Sequence, residues 1–588
     1  MGEEREKKRL AFLVAIALIS ATLAAFGVSV WQRASHFGLT GGDMAGAFTA
    51  GSTLMARHWD REGAWKLRFV MYWEPDSIEY PSLASRTPYI SYPPGCILPL
   101  YVLGKITARG PTVPMTMGYN LANQAAIAFC LGLIAFLLLQ KMGYPVILSL
   151  SYSLLPIFLY LWLPSPYYEH QMGYFADSAV ILPLALCVLV EILCTKARNA
   201  QQRKILALCH GLIAFWGMFT DWLFAFVLLC VWLARLVSGE MGTRPRAVCR
   251  KTLLFWTPAA LAILLFLLQL WHLGAIEQLA LRFVHRTGMD GGGLNALRPV
   301  PREVFYSTLF TFSLRTRFWE TFIPAAYGMP GKIILLVAYA ALTMSLFMLL
   351  IARLRKKTTP EEMRMMSWAA FLLLTPCLMH YHIFKNHSSF LFHFFSVLKL
   401  APSMAIVPFV LFPAGLTALT CAVLHWDAHR RIRLGVAILP ITAILCAWYL
   451  HTLGWQRERM YGELNLDMQR AARFVGAHTG YHDVVFSPEE DIPRHFYVYS
   501  MKVTHQGRSI EQIRDRLTDV SGEYVVNLFL KEHADYTAYP GLELLSSHSH
   551  ETIREGGYIL HKIDKHDFEK AYSAWRQQPP EQHDGNPS

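Results

Sequence analysis

Charge is scarce in this sequence. Asp, Glu, Lys and Arg make up 16% of its 588 residues, against roughly 25% in soluble domains. Apolar residues, 54% of the chain, gather in blocks long enough to cross a bilayer, which takes about 20 residues per helix. A water-soluble globule is therefore excluded for most of the chain. Patterned cysteine is also missing. Of the ten cysteines, Cys96 lies in the first outer loop, the others lie in or beside apolar runs, and none follows residue 453. That spacing supports neither a disulfide framework nor a metal-ligand pattern, and it says little about the redox compartment. No internal repeat is visible. Nor is there a compact basic domain with interleaved aromatics, so the net charge of +12 is not a nucleic-acid footprint.

The positive charge sits instead in short loops between apolar runs. These are Lys196 to Lys204, Arg235 to Lys251, Arg353 to Lys357 and Arg430 to Arg433. Short basic loops mark the cytoplasmic side. The N-terminal EEREKKRL precedes an apolar run, 10–31, that exceeds the 7–15 residues of a signal-peptide core. It reads as a retained first helix with a cytoplasmic N-terminus. Further spans are expected at 117–140, 145–163, 175–195, 205–219, 221–237, 251–272, 332–352, 366–384, 402–425 and 432–452. Reading 205–237 as two short spans keeps both later basic loops on one side; one kinked helix would not. The sum is a polytopic α-helical membrane protein of about 11 transmembrane helices, whose C-terminal tail emerges outside.

Two outer loops are too long to be mere connections. Residues 32–116 hold GGDMAGAF, the acidic and aromatic YWEPDSIEYPS, and ISYPPGCILPLYVLGK, whose 97–106 portion is too short to span and suits the interface, with Tyr101 as anchor. Residues 273–331 carry a Gly-rich GMDGGG between helical stretches and an unexpected excess of Arg. From 455 the composition turns polar. Alternating DVVFS and EYVVNLF between LDMQRAARFVGAH and SIEQIRDRL predict a small extracytoplasmic α/β domain over 455–575, on a transmembrane domain of 1–454. The end, 576–588, reads as a disordered tail.

An ionisable residue in or beside a span is costly and points to function. Asp43 follows the first helix, and Asp177 opens the fourth; each also suits a helix N-terminus. Asp221 reads as a helix-turn residue. His285, Arg282 and Arg286 lie in the second loop, where guanidinium groups suit bidentate phosphate binding and lipid headgroups alike. The exit MHYHIFKNHSSFLFHFFSVLK holds His380, His382, Lys385, His393 and Lys399. Of these, Lys385 with its polar neighbours, His393 among them, is read as part of an anion site. Carboxylates from two segments and cations from two others would serve a substrate with a phosphate and a hydroxyl to be deprotonated.

In this order the features resemble the GT-C membrane glycosyltransferases, among them the protein O-mannosyltransferases and the aminoarabinose transferase of lipid A. The likeness rests on Asp43 in GGDMAGAF, the YPPG of Tyr92 to Gly95, Asp177 in YFADSAVILPL, the Arg/His loop around His285, Lys385 before the tenth span, and the terminal α/β domain. It implies transfer of a sugar from a polyprenyl-phosphate donor to a lipid, glycan or protein acceptor, with inversion, in the cell envelope and most simply the bacterial inner membrane. Asp43 would be the general base. Asp177 would position substrate or a divalent metal ion. Tyr92, Arg282, Arg286, Lys385 and His393 would line the substrate site. Tyr92 stands where the aminoarabinose transferase has a carboxylate, which weakens a metal site at His285. Thr220-Asp221 replaces a Thr-Lys seen in relatives.

Two other readings compete. A flippase for a lipid-linked sugar would explain the spans and the outer cations, but such transporters commonly show repeats and broken midplane helices. The tail could alternatively be a binding module on a membrane scaffold.

Overall fold

The computed structural model describes residues 2–577, apart from 41–43, 198, 243, 288–317, 355–360, 385–393, 425–426, 462–465, 489–495, 533–538 and 540. The chain divides into two compact units. The first comprises Met1–Phe37, Ile90–Cys96 and Met117–Gly462; the second comprises Gly38–Tyr89, Ile97–Thr116 and Glu463–Ser588.

The first unit is helical. Every expected span coincides with a helix, from Gly2–Gln32, Val113–Lys141 and Val146–Trp162 through Pro245–His272 to Ala428–Thr452. Among the described residues, 7 helices are long and apolar enough to cross a membrane, or 8 if one bent pair forms a single span. The protein is an integral, multi-pass membrane protein. Helix Pro245–His272 leaves Leu253, Leu254, Leu264 and Trp271 exposed. In lipid such residues need no cover, because the acyl chains are as apolar as they are.

Three departures from the expected spans have local causes. Helix Val146–Trp162 bends by 56° into Pro164–Met172, because Pro164 offers no N–H to continue the ladder. Helix Ile323–Leu354 is broken at Gly328, whose φ of 70° is open to glycine. The tenth span begins at Ser396, not 402. A lysine at 399 argues against membrane burial on sequence grounds, yet the side chain is fully enclosed and its charge is met internally. Residues 205–237 do form two helices, Ala200–Met218 and Leu223–Val237. Between them, the Leu223 N–H donates to Asp221 Oδ1 at 2.6 Å and interrupts the helical pattern.

The second unit carries a five-stranded sheet. Its strands are β1 (Asp483–Ser487), β2 (Thr504–Gln506), β3 (Val525–Lys531), β4 (Glu551–Glu555) and β5 (Tyr558–Asp564), in the order β2-β1-β3-β5-β4. The pairs β1–β2 and β1–β3 are parallel, and β5 runs antiparallel to both β3 and β4. Gly556 and Gly557, both at positive φ, form the two-residue turn between β4 and β5. Alternation sends Val484, Phe486, Val526 and Leu528 to one face, against Ile510, Ile513, Phe568 and Trp575. Val485, Phe529 and Leu560 go to the other, against Ala472, Phe474 and Val475.

Part of the first outer loop belongs to this unit. Helix Met44–His58 leads into a segment fixed by Arg86, which is 5% exposed. Arg86 donates to both oxygens of Glu62, at 2.9 and 2.7 Å, and pairs with Asp76 at 2.9 Å. His505 of β2 meets Glu79 at 2.5 Å and ties the loop to the sheet. Replacing Arg86 by alanine would leave the Glu62 carboxylate buried without its fork. A loss of about 3–5 kcal/mol is expected, read as a lower melting point and faster proteolysis within residues 59–90.

Candidate functional site

A buried ionic cluster and an amphipathic cleft lie side by side in the first unit. The cluster is built on residues Phe394–Leu400, a seven-residue 3-10 helix. Runs of that length are uncommon because their hydrogen bonds are poorly aligned. Neighbouring side chains stabilise this one through its carbonyls. The Tyr327 hydroxyl donates to Val397 O at 2.7 Å, Cys377 Sγ to Lys399 O at 3.0 Å, and the Tyr381 hydroxyl to Ser396 O.

That scaffold aims Lys399, 0% exposed, into the helices. Its Nζ lies 2.7 Å from Asp177 Oδ1, 2.9 Å from Asp221 Oδ2 and 3.5 Å from His380 Nε2. The two carboxylates thus hold the ammonium directly, with the His380 ring at the edge of hydrogen-bonding distance. Ser396 Oγ adds a contact of 3.4 Å to Asp177 Oδ1. The two acids arrive from different breaks: Asp177 from the short helix Ala176–Ala179, and Asp221 from the interruption described above. In low dielectric such charges persist only when paired. One lysine therefore fixes the opening of the fourth span, the turn between the fifth and sixth, and the start of the tenth.

The cleft, about 490 Å³, is walled by Trp222, Phe226, Leu279, Phe283 and Phe384, with Ser91, Arg282 and Arg286 as polar members. Its outer wall is the amphipathic helix Ile276–Thr287. The rings of Phe226 and Phe384 lie 6.1 and 5.1 Å from that of His380, so the ionic cluster backs directly onto the apolar wall. Ser91, at the head of the segment 91–96, lines one edge. Gly95 N donates to Phe219 O at 2.8 Å, and a Cβ at Gly95 would stand 2.3 Å from that oxygen, so only glycine fits. Trp222 Nε1 donates to Ser91 O at 2.9 Å, and an Arg282 guanidinium nitrogen donates to Ser91 Oγ at 2.8 Å. Tyr92, nearly buried, packs edge-on to Phe175 at 6.2 Å, and the Arg286 guanidinium sits 4.9 Å above its ring.

The structure thus brings Arg282 and Arg286 to one cleft, with Tyr92 buried under the Arg286 guanidinium, and Asp177 to the cluster beside it. His285 lies on the same helix as the two arginines and is partly buried. Among the described residues no group of three His, Cys, Asp or Glu side chains is placed to hold a metal ion. Asp43, Lys385 and His393 lie outside the described residues. Asp221, read from the sequence as a helix-turn residue, does hold that turn and also pairs with Lys399, a pairing the sequence did not show; the sequence reading had favoured Lys385 for the anion site. One signal was available: Lys399 is a lone base ahead of the long apolar run 400–424, and an internal charge calls for an internal acid.

The helical unit and its sheet-bearing companion have the GT-C fold of membrane glycosyltransferases. No family model matches the chain, and no curated protein sequence does. Among solved structures, the archaeal oligosaccharyltransferase AglB from Archaeoglobus fulgidus, in complex with an inhibitory peptide and a dolichol-phosphate, is similar with a TM-score of 0.50 and 10% identity, covering 87% of this chain and 69% of that one. ArnT from Cupriavidus metallidurans bound to undecaprenyl phosphate gives a TM-score of 0.48 and 11% identity, covering 93% and 97%.

Proposed function

We propose that this protein is a glycosyltransferase that moves a sugar from a polyprenyl-phosphate donor to an extracytoplasmic acceptor. The observation that carries this reading is the cleft. An apolar wall with two guanidinium groups on one helix suits an isoprenoid chain joined to a phosphate. A fold shared with a protein solved with a dolichol-phosphate supports the same ligand class. The acceptor is a glycolipid, wall polymer or protein hydroxyl on the side of the membrane that carries the C-terminal domain, with the N-terminus cytoplasmic and the bacterial inner membrane as the setting.

In this reaction Asp43 takes the proton from the acceptor hydroxyl. The acceptor oxygen attacks the anomeric carbon as the bond from that carbon to the phosphate oxygen breaks. The electron pair leaves on the lipid phosphate, and the anomeric configuration inverts. Arg282, Arg286, Lys385 and His393 hold the phosphate as its charge grows, and Tyr92 aligns Arg286 by its ring face. Asp177, fixed by Lys399, positions the helix opening on the donor side.

The test uses purified protein in liposomes with labelled polyprenyl-phosphate sugars and a membrane lipid extract. Label leaving the carrier for an acceptor supports the transferase. Label that stays on the carrier and changes leaflet would identify a flippase instead. Within this assay, Arg282→Ala and Arg286→Ala are each expected to weaken donor binding about tenfold or more, the scale of a charge-assisted hydrogen bond. Lys385→Ala is expected to act in the same direction. Unchanged donor affinity would remove the residue concerned from the phosphate site.

A further inference from the structure

The second unit holds a separate cleft of about 530 Å³, between the first-loop residues and the C-terminal domain within that unit. Four cations line it: Arg57, Arg61, Arg109 and Lys502. Its two acids are already engaged elsewhere, because Asp60 pairs with Lys105 at 2.7 Å and Asp76 with Arg86 at 2.9 Å. None of the four cations has a carboxylate in salt-bridge contact among the described residues, although those of Asp483 and Glu79 act on Lys502 at longer range. Arg57 is held by carbonyls alone, donating to Pro111 O at 2.7 Å and to Val498 O. The nearest acceptor of Lys502, 7% exposed, is the Asp483 carbonyl at 3.4 Å. Arg61 and Arg109 are exposed, without a hydrogen-bonding or ion-pair partner among the described residues. Burial lowers the pKa of Arg57 from its ordinary value, and the neighbouring Arg61 charge lowers it further. Burial likewise lowers that of Lys502. The chain therefore bears the cost of keeping like charges together, partly dehydrated, in one cleft.

Two tyrosines complete the lining. Tyr499 has its hydroxyl fixed by Thr40 at 3.1 Å, whereas Tyr481 is 45% exposed. Guanidinium and ammonium groups recognise phosphate or carboxylate, and exposed tyrosine rings offer a flat apolar face with a polar edge. A saccharide presents the matching combination of C–H faces and hydroxyls, and the cleft of about 530 Å³ is large enough to admit one. We infer that this cleft is a binding site for an anionic saccharide, one carrying phosphate or carboxylate groups, held by Arg57, Arg61, Arg109 and Lys502. It stands independently of the donor cleft and of the transfer reaction, because its evidence lies wholly in the second unit.

The test is calorimetric titration of the full-length protein in detergent. The probes are trigalacturonate, glucose 1,6-bisphosphate, neutral maltotriose and inorganic phosphate. At least one of the two charged saccharides is expected to bind, about tenfold or more tighter than maltotriose. The double variant Arg61→Gln/Arg109→Gln removes two rim charges that support nothing else, and an unchanged melting point verifies its folding. It should lose about tenfold or more in affinity for that saccharide, and the binding should weaken with salt. Failure of both charged saccharides to bind, maltotriose binding as well as they do, or equal affinity in the double variant would each overturn the assignment. Inorganic phosphate binding as tightly as the bisphosphate, with trigalacturonate silent, would overturn the saccharide part of it.

Discussion

Lys399→Met is expected to destabilise the first unit by about 3–5 kcal/mol, the cost of breaking a buried ion pair by removing one partner. The size follows from the accounting at Nζ. Asp177 and Asp221, 2.7 and 2.9 Å from that nitrogen, would face each other across the vacated space without a cation. Methionine fills nearly the same volume, so cavity formation contributes little and the loss reports charge. Lys399→Arg keeps the charge but demands a planar fork where three separate acceptors surround a compact ammonium, so it should rescue only in part. The informative companion is Asp177→Asn/Asp221→Asn/Lys399→Met. If the cluster acts electrostatically, this neutral variant should melt above the single variant, because no bare carboxylate remains. Thermal unfolding in detergent, followed by size exclusion, measures both. A single variant as stable as the parent would show that the acids find other partners and that the cluster is not what joins these three helix openings.

This cluster also shows where sequence reading stops. The spans were legible because hydropathy acts residue by residue, and a run of 20 apolar residues has few other fates. The split at 219–222 was legible from loop charge, a global constraint on which side each loop occupies. The α/β character of the tail was legible from period-2 alternation in DVVFS and EYVVNLF. Of the candidate site residues, Tyr92, Arg282 and Arg286 were marked by motif and loop charge; the two arginines line one cleft and Arg286 covers the Tyr92 ring, which is a matter of placement and leaves their roles as proposals. What failed was pairing. Lys399 is 178 residues from Asp221 and 222 from Asp177, and no local pattern carries a contact of that range. The start of the tenth span was misplaced for the same reason, since a charge looks unburiable until its partners are known. The role of Gly95 was equally hidden: YPPG reads as a turn, and only the approach of Phe219 O to 2.3 Å of an added Cβ shows why the glycine is needed.

Asp43→Asn is expected to lower sugar transfer by about 10²–10⁴-fold, the range for loss of a general acid or base. Donor binding and the melting point should stay unchanged. The substitution is chosen because it separates two roles that one position can serve. Asp43 precedes the described helix Met44–His58 in sequence, a position where an acid suits an N-cap. Asparagine caps a helix about as well as aspartate, so a purely capping residue would tolerate the change. An amide cannot accept the acceptor proton, so a base would not. Asp43→Ala is the control for the cap, with an expected loss of about 1 kcal/mol in stability in addition to the loss of turnover. The readout is single-turnover release of label from the polyprenyl carrier, with donor affinity measured separately so that binding and chemistry are not confused. Wild-type turnover in Asp43→Asn would remove Asp43 as the base. Loss of turnover with intact donor affinity would locate proton abstraction at residue 43 and leave the Arg282–Arg286 cleft to the leaving phosphate.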